Sequence, residues 1–493
     1  MKKKILLVVF ICFATFLLVY SPHINYAFPF HIDEWHHITE AIKLGDGDYT
    51  GGGAGYRVGF HLFLFLLSFP LNLIEVYQFL PAIWAVLTGL VLFYVTYKKT
   101  NNYWIALFSM IFFASLKSNV NIGGLWFFTS LTFALPFIFL YVFFFTEGIE
   151  NKNKKQILIS LGIMAFLVPV HSISVLFALP FLFIYGLFHL DYVKKEWKFF
   201  SLFLIIPIIG IILYSFLNHL SFLGSMGKLF NDLQFKKGWG VLETDNSFFE
   251  VYSPIGYLFV LLGIFSAMFY NKDKKYLPYI LWTVVTFVSV VYYKLFDVSY
   301  LAPFQREFYY FAISLPFLSA LGLFNLLKLK NEFIERSSIK YKSYAKKFIS
   351  LIIILLVLFF AFYSYYELPK STGLYKLIDG EDYNALIFLK AQESGKVIST
   401  SAISSTVYAI AGKEPVGAIY FYGNRTESEN FFKTSNCSEK NKILKRNKVS
   451  YVLSKSQINC TYSNIYGKNN QTDWIYNVYN ISNPIKAVKS KAK

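Results

Sequence analysis

The feature that most constrains this chain is a succession of apolar stretches, each close to the length that a helix needs to cross a bilayer. About 20 apolar residues at 1.5 Å per residue cross a hydrocarbon core roughly 30 Å thick. The 493 residues are 55% hydrophobic and only 15% charged, whereas soluble domains carry about 25% charged residues. We therefore predict a mostly α-helical, polytopic membrane protein with about 11 transmembrane helices. They are expected at 5–20, 78–97, 103–117, 126–146, 157–172, 174–190, 199–217, 253–270, 277–293, 308–327 and 348–366.

Two apolar stretches need separate interpretation. Ile5–Tyr20 follows three lysines, as in a signal peptide, but no small-residue cleavage site follows it. We therefore predict an uncleaved first span with a cytoplasmic N-terminus. The stretch Val58–Phe69 has only twelve residues, which is too short for a span, and we predict an interfacial or re-entrant segment there.

The net charge of +18 could suggest a nucleic-acid partner, so the positions of the basic residues decide its meaning. In the predicted topology, 21 of the 47 Lys and Arg residues lie in short segments on one side of the membrane, and 8 lie in the longer loops opposite. This asymmetry follows the positive-inside rule and predicts a multi-pass cell-membrane protein with its N-terminus cytoplasmic and its C-terminus extracytoplasmic. The charge is therefore a topology signal, and no nucleic-acid partner is expected.

The composition changes after Glu367, where the apolar stretches end. We predict a transmembrane domain at 1–366, which includes an external loop at 21–77, and a small extracytoplasmic α/β domain at 367–493. The elements predicted for the second domain are helices at Glu381–Glu393 and Ser438–Asn447 and short strands at Lys396–Thr400 and Val449–Ser454.

The C-terminal domain also carries signals of an external location. All five Asn-x-Ser/Thr triplets of the chain lie in it, and such triplets are N-glycosylation acceptors in secreted domains. Cys437 and Cys460 lie there too and could form a disulfide in an oxidising compartment. The alternatives are triplets that arose by chance in an Asn-rich segment and two free thiols. The triplets begin at Asn424, Asn436, Asn459, Asn470 and Asn480.

The external loop 21–77 is the part of the chain that most suggests a chemical site. It is net acidic in a basic chain, and it holds five of the eight histidines. Within 30–42, Trp35, Ile38 and Ile42 share one helical face, which predicts an amphipathic helix on the membrane surface. The opposite, polar face carries Asp33, His36, His37 and Glu40.

Two chemistries fit the adjacent carboxylates Asp33 and Glu34 and the histidines that follow them. A carboxylate can act as the general base that takes a proton from an acceptor hydroxyl. Alternatively, Asp33 with His36 and Glu34 with His37, each at i and i+3, could chelate a divalent metal from one helical face. The structural alternative is an ordinary helix start, where the helix dipole favours acidic side chains.

Ionisable residues also lie at membrane depth and at the external ends of the predicted spans. His171 ends the fifth span, and Arg306, followed by Glu307, precedes the tenth. A basic residue on the outer side departs from the positive-inside rule, so Arg306 is expected to bind an anion such as phosphate, which the guanidinium fork suits. Arg57 and Lys294 are further candidates for that role. The structural alternatives are a buried histidine with satisfied hydrogen bonds and an ion pair between Arg306 and a loop carboxylate.

In this order the features resemble the GT-C superfamily, the multi-spanning glycosyltransferases that use polyprenyl-phosphate-linked sugars. The resemblance rests on a first span, an external loop that opens with Asp33-Glu34, a Gly-rich stretch, His171-Ser172, Arg306 before a late span, and a C-terminal domain. The Trp-Trp-Asp-Tyr-Gly motif of the oligosaccharyltransferase branch is absent from 367–493, and Lys117–Gly124 replaces its acidic metal pair. The chain therefore resembles the protein-mannosyltransferase and aminoarabinose-transferase branch more closely.

The resemblance also implies roles for the candidate residues. Asp33 would be the general base, and Glu34 would orient it or the acceptor. Arg306 would hold the lipid phosphate. Contacts with the acceptor or the donor would come from His36, His37 and His171.

The expected function is transfer of a sugar from a polyprenyl (dolichyl or undecaprenyl) phosphate donor to an acceptor hydroxyl on the extracytoplasmic side, with inversion. The partners are that donor, membrane lipid, and a glycan, lipid or protein acceptor. Enzymes of the similar branch generally work without a metal, so no cofactor is expected, and the chelating set Asp33, Glu34, His36 and His37 is the alternative. The alternative functions are a flippase or transporter of lipid-linked saccharides and a non-catalytic GT-C-like scaffold. Transporters usually show internal repeats, and this sequence shows none.

Overall fold

A computed structural model of the chain describes residues 2–49, 57–118, 123–217, 221, 223–224, 227, 234–236, 247–270, 274–337, 341–363, 375–418, 424–467 and 474–477. Several features singled out in the sequence lie outside these residues. They are Glu367, the triplets at Asn470 and Asn480, most of the Gly-rich stretch after Asp48, and residues 119–122 of the Lys117–Gly124 segment.

Most of the described chain is helical. The helices are α1 (Lys2–Tyr20), α2 (Ile32–Asp46), α3 (Val58–Ser68), α4 (Leu73–Val76), α5 (Leu80–Thr100), α6 (Tyr103–Ala114), α7 (Ser130–Glu150), α8 (Lys154–Leu187), α9 (Leu190–Lys195), α10 (Trp197–Leu217), α11 (Pro254–Phe265), α12 (Leu277–Phe296), α13 (Phe304–Arg336), α14 (Lys342–Phe362), α15 (Gly380–Lys390), α16 (Ser401–Ala411), α17 (Arg425–Lys433) and α18 (Cys437–Asn447). The strands are β1 (Gln234–Lys236), β2 (Val298–Tyr300), β3 (Lys396–Ile398), β4 (Val449–Ser454), β5 (Ser463–Tyr466) and β6 (Trp474–Asn477).

The chain forms two compact units, one from 1–22 and 79–370 and the other from 23–78 and 371–493. We call them the helical unit and the α/β unit. This division differs from the predicted domains, because the external loop was expected to belong with the transmembrane helices. Its grouping with the C-terminal segment has a physical basis, since α2 packs against α16 and the N–H of Lys376 donates to the carbonyl oxygen of Phe30 at 2.9 Å.

Seven helices in the described residues are long and apolar enough to cross a membrane. Three of the other predicted spans are shorter apolar helices that begin at Tyr103, Trp197 and Pro254. The predicted span 157–172 and residues 174–187 of the predicted span 174–190 lie within the single 34-residue helix α8. The prediction of a polytopic α-helical membrane protein is confirmed.

Helix α8 is interrupted at His171, whose φ of −159° and ψ of 78° are not helical. Pro169, two residues earlier, has no N–H to donate to the preceding turn, so the helix is already weakened there. The boundary that the sequence predicted between two spans therefore exists as a break in the backbone rather than as a loop.

The α/β unit contains a four-stranded sheet in the order β3-β4-β6-β5. Strands β3 and β4 are parallel, and β6 is antiparallel to both β4 and β5. The predicted helix 381–393 corresponds to α15, the predicted helix 438–447 to α18, and the strand predicted at 449–454 has the bounds of β4. Cys437 and Cys460 form a disulfide with a Cα–Cα distance of 5.7 Å.

The predicted helix at 30–42 is present as α2, but its surroundings differ from those expected. The prediction left one polar face open above the membrane, whereas Glu34 and Glu40 are both 0% exposed and the apolar Trp35 is also 0% exposed. The reason is that α2 packs against both α3 and α16. A pattern of polar and apolar faces in a sequence does not show how many neighbours a helix will have.

Two glycines determine how closely α11 and α13 pack in the helical unit. A Cβ atom on Gly263 would overlap the carbonyl oxygen of Leu318, and one on Gly322 would overlap that of Phe259. Small residues allow helix backbones to approach closely inside membranes. Next to this contact, Ser319 donates a hydrogen bond to the carbonyl oxygen of Gly256 at 3.1 Å. The packing of α13, which carries Arg306, therefore depends on these two glycines.

We predict that Gly263→Leu lowers the thermal unfolding temperature of the detergent-solubilised protein, because overpacking of a close backbone contact costs about 3 kcal/mol. The matched control is Gly162→Leu on α8, because Gly162 is exposed and a Cβ there has no neighbour within 4 Å. Unfolding temperatures of the two variants are compared by tryptophan fluorescence. Equal stability of both variants would contradict the proposed role of the glycine contact.

Candidate functional site

The start of α2 is fixed by hydrogen bonds between side chains and backbone. His31 precedes the helix in an extended conformation, and its Nδ1 accepts a hydrogen bond from the N–H of Asp33 at 3.1 Å. Glu34 turns back, and its Oε2 accepts from the N–H groups of Phe30 and His31 at 2.6 and 2.9 Å. This reciprocal arrangement is a capping box, which satisfies backbone donors that the first helical turn leaves unpaired. Glu34 therefore holds the turn on which Asp33 is placed.

Asp33 keeps access to solvent where its neighbours do not. Its side chain is 17% exposed, and its Oδ2 lies 3.9 Å from Nδ1 of His31. By contrast, the carboxylates of Glu34 and Glu40 are fully buried. An accessible carboxylate on a fixed helical turn is suited to accept a proton from a ligand.

His36 and His37, two of the three histidines predicted to contact ligands, form part of a largely buried cluster. We call it the histidine cluster, and it consists of His36, His37, His61 and Tyr49. Nδ1 of His37 and Nε2 of His61 are 2.9 Å apart, and Nδ1 of His61 is 2.9 Å from the hydroxyl of Tyr49. The ring of His36 lies 5.4 Å from that of His37 and 6.3 Å from that of His61. The sequence singled out His36 and His37 but not their partners, His61 on α3 and Tyr49 just after α2, because nothing in the spacing of these residues indicated the contacts.

Burial disfavours the charged form of His36 and His61. It lowers the pKa of His36 to about 4, and the nearby Arg57 acts in the same direction, against the opposing effect of Asp33. Burial, together with His36 and Arg57, holds the pKa of His61 well below its usual value. Arg57, which the sequence suggested as a phosphate ligand, therefore lies in the α/β unit and influences the histidine cluster.

The chelating set suggested by the sequence does not assemble in the described residues. No group of three or more His, Cys, Asp or Glu side chains there could hold a metal ion. Glu34 in particular is turned back toward the backbone N–H groups of Phe30 and His31. The spacing of i and i+3 places two side chains on one face, but the capping bonds decide where the carboxylate points.

In the helical unit, Arg306 lies in the first turn of α13 against an irregular segment. Gly123, at a φ of +88°, leaves room for the guanidinium, since a Cβ there would lie 2.9 Å from its Nη1. Gly124, at a φ of +120°, packs against the backbone of Ser118, whose Oγ accepts a hydrogen bond from the N–H of Trp126 at 3.2 Å. The two glycines therefore let a non-helical backbone pass close to Arg306.

Two lysines lie near the same end of the helical unit. Nζ of Lys294 is 5.5 Å from the ring centre of Phe304 and 5.9 Å from that of Phe248. Nζ of Lys117 donates to the carbonyl oxygen of Phe249 at 2.9 Å. The predicted cation Lys294 thus packs against the residue two positions before Arg306. Lys117 was not among the predicted site residues. The sequence feature that could have indicated it is its position as a single basic residue before the Gly123-Gly124 pair.

His171, at the break in α8, is tied to the helix that carries Arg306. Its Nδ1 lies 2.7 Å from Oγ of Ser174 and 3.3 Å from the hydroxyl of Tyr310, and these two hydroxyls are 2.6 Å apart. Tyr310 follows Arg306 by four residues and so lies on the same face of α13, one turn away. The three polar groups connect α8 and α13 in a buried environment.

We predict that the stability of the α/β unit falls as the pH is lowered from about 6.5 to about 4. His36 binds a proton near pH 6.5 in the unfolded chain but only near pH 4 in the folded chain. Neutral His36 therefore contributes about 3 kcal/mol to the free energy of unfolding above pH 6.5, and this contribution is lost as the pH falls to about 4. In His36→Gln we expect a smaller loss of stability between these pH values, because glutamine does not bind a proton there. Thermal unfolding followed across pH 4–8 measures it, and parallel profiles for variant and wild type would contradict the prediction.

Comparison with known proteins identifies the fold. No protein-family model and no curated protein matches the sequence. Among solved structures, the apo form of the Archaeoglobus fulgidus oligosaccharyltransferase matches with a TM-score of 0.60 at 14% identity, over 92% of this chain and 69% of that chain. The archaeal oligosaccharyltransferase AglB of the same organism, in complex with an inhibitory peptide and a dolichol-phosphate, matches with a TM-score of 0.56 at 13% identity, with the same coverage.

A second kind of protein matches over nearly its whole length. ArnT from Cupriavidus metallidurans bound to undecaprenyl phosphate has a TM-score of 0.52 at 12% identity, over 95% of this chain and 97% of that chain. Both kinds of structure are found, so the preference for one branch remains a prediction from the sequence. The chain has the fold that these two proteins share.

Proposed function

We propose that this chain is an integral membrane glycosyltransferase that transfers a sugar from a polyprenyl-phosphate donor to an acceptor hydroxyl on the extracytoplasmic side. The observation that carries the proposal is the start of α2, where Asp33 is the accessible carboxylate and Glu34 fixes its turn through two backbone hydrogen bonds. The proposed orientation, with the N-terminus cytoplasmic and the C-terminal segment extracytoplasmic, follows from the distribution of basic residues.

The shared fold supports a lipid-phosphate donor. One matching structure contains a dolichol-phosphate, and the other contains undecaprenyl phosphate. The present chain covers 97% of ArnT but 69% of the oligosaccharyltransferase, which supports the proposal that it belongs to the branch similar to ArnT. The sugar is proposed to be a hexose or pentose unit.

The proposed chemistry divides the work between two groups of residues. Asp33 takes the proton from the acceptor hydroxyl, and the acceptor oxygen forms a bond to the anomeric carbon with inversion as the bond to the phosphate oxygen breaks. The lipid phosphate leaves as an anion, so it needs a compensating cation more than a general acid. Arg306 is the proposed ligand because its guanidinium offers paired donors to phosphate. Lys294, which packs against Phe304, and Lys117 are proposed as further cations.

We predict that Asp33→Asn lowers the transfer rate by about 10²–10⁴-fold without loss of folded protein, because general-base assistance contributes that much. The matched control is Asp48→Asn, an exposed carboxylate just after α2. Both variants are incubated in proteoliposomes with radiolabelled polyprenyl-phosphate sugars and membrane extract as the acceptor source. Wild-type transfer by Asp33→Asn would remove Asp33 as the base. Label that crosses the bilayer while still lipid-linked would instead indicate a flippase.

We predict that Arg306→Ala raises the KM for the lipid donor by about 10–100-fold, because a hydrogen bond to a charged group contributes about 1.5–3 kcal/mol. Arg306→Lys should give an intermediate value, since it keeps the charge but loses the paired donors. The control is Arg336→Ala, at the exposed opposite end of α13. Initial rates at varied donor concentration measure the effect, and an unchanged KM would remove Arg306 from the phosphate site.

A further inference from the structure

Three of the Asn-x-Ser/Thr triplets lie in the described part of the C-terminal segment, and all three are accessible. Asn424, Asn436 and Asn459 are exposed, as are the hydroxyl residues Thr426, Ser438 and Thr461 that complete their triplets. The transferase reaction proposed above gives these triplets no role. Exposure of each asparagine means that the folded domain can accommodate a glycan there, a condition that chance triplets need not meet.

The local structure of two of these asparagines leaves their amide nitrogens compatible with modification. Asn424 and Asn436 precede α17 and α18, and the Oδ1 of each caps its helix by accepting from the N–H of Glu427 at 3.2 Å and of Ser438 at 2.9 Å. The capping bond uses the amide oxygen, so a substituent on Nδ2 does not remove it. A sugar at either position is therefore compatible with a capped helix.

Asn459 lies at the tip of a tight turn. The N–H of Cys460 donates to the carbonyl oxygen of Ile458 at 2.9 Å, a hydrogen bond that spans one residue, as in a γ-turn. Ile458 belongs to the hydrophobic core of this unit, and Cys460 packs against that core. The core thus anchors both sides of the turn and leaves Asn459 exposed between them.

The disulfide joins two of the triplets through their middle residues. The triplets are Asn436-Cys437-Ser438 and Asn459-Cys460-Thr461, and the disulfide links Cys437 to Cys460. The carbonyl oxygen of Asn459 also lies 3.2 Å from Sγ of Cys437. The two asparagines are therefore neighbours in space although 23 residues separate them in sequence.

We propose that Asn424, Asn436 and Asn459 carry N-linked glycans, with the last two placed side by side across the disulfide. In each modification the Nδ2 atom forms a bond to the anomeric carbon of a polyprenyl-linked saccharide, the bond from that carbon to the lipid phosphate oxygen breaks, and one Nδ2 proton passes to a base of the modifying enzyme. That enzyme is a separate, triplet-dependent transferase. The proposal depends on the extracytoplasmic placement of this segment and not on the activity of Asp33.

The folded geometry also implies an order of events. In the folded chain, Ser438 is already in the first turn of α18 and its N–H is bonded to Asn436. The disulfide holds the middle residues of both triplets. We infer that the transferase binds each triplet as a segment that is free to change conformation, so the sugars at Asn436 and Asn459 are added before this helix and the disulfide form.

The test is peptide mapping by mass spectrometry of the full-length protein isolated from membranes of its native host. Without reduction, we expect one cross-linked peptide that contains both Asn436 and Asn459 and carries two glycans. Reduction should separate it into two glycopeptides, and Asn424 should appear in a third. Unmodified asparagine at all three positions would overturn the proposal, and a glycan on Asn424 alone would overturn the paired arrangement.

Matched variants separate the glycan from the helix cap. Asn436→Asp keeps an oxygen that can cap α18 but has no amide to modify, and Ser438→Ala keeps Asn436 but breaks the triplet. Both should lose the glycan at position 436 and keep those at 424 and 459. Asn447→Asp, outside any triplet, should keep all three. Loss of the 436 glycan in Asn447→Asp, or its persistence in Ser438→Ala, would contradict the assignment.

An inactive transferase distinguishes this proposal from the proposed function. Asp33→Asn should carry the same glycans as the wild type, because a separate enzyme adds them. Loss of the glycans in Asp33→Asn would show that the chain modifies itself and would overturn the assignment to a separate transferase. Unmodified asparagines together with full sugar transfer would leave the proposed function standing and overturn the glycan proposal alone.

Discussion

The structure depends first on the requirement that backbone N–H and C=O groups be hydrogen-bonded where no water can reach them. This requirement explains why the apolar stretches form helices, and it makes the exceptions informative. At His171 the helix breaks, and side-chain contacts with Ser174 and Tyr310 surround the break. At Gly123 and Gly124 the backbone has positive φ, and the hydroxyl of Ser118 accepts a hydrogen bond from the N–H of Trp126. Both exceptions adjoin α13, the helix that carries Arg306.

The same requirement operates at the start of α2 in a different form. A buried helix start leaves N–H groups without partners, and here the carboxylate of Glu34 accepts from two of them while His31 accepts from a third. Two adjacent acidic residues thereby acquire different surroundings, since Glu34 is buried and Asp33 is partly exposed. This difference in burial supports the proposal that Glu34 stabilises the start of the helix and that Asp33 acts as the general base.

Sequence reasoning located the helices and the elements of the C-terminal segment well, because periodicity and local hydrogen bonding set them. Strand β4 and helix α18 were both predicted from short local segments of the sequence. The sequence was less informative about contacts that join segments far apart in the chain. Nothing in the spacing of His37, His61 and Tyr49 indicated their hydrogen bonds. Only the fold showed the contact of Lys117 with the carbonyl oxygen of Phe249 and that of Tyr310 with His171.

The sequence by itself determined that the chain is a polytopic helical membrane protein with α/β elements in its C-terminal segment, because apolar length and charge distribution are properties of local sequence. It also determined which loop is acidic and rich in histidine. Only the tertiary structure decided that this loop belongs with the C-terminal segment, that both faces of α2 are buried, and that Glu34 points back toward its own backbone. These outcomes depend on which surfaces meet after folding, and side-chain spacing along one helix carries no information about its partners.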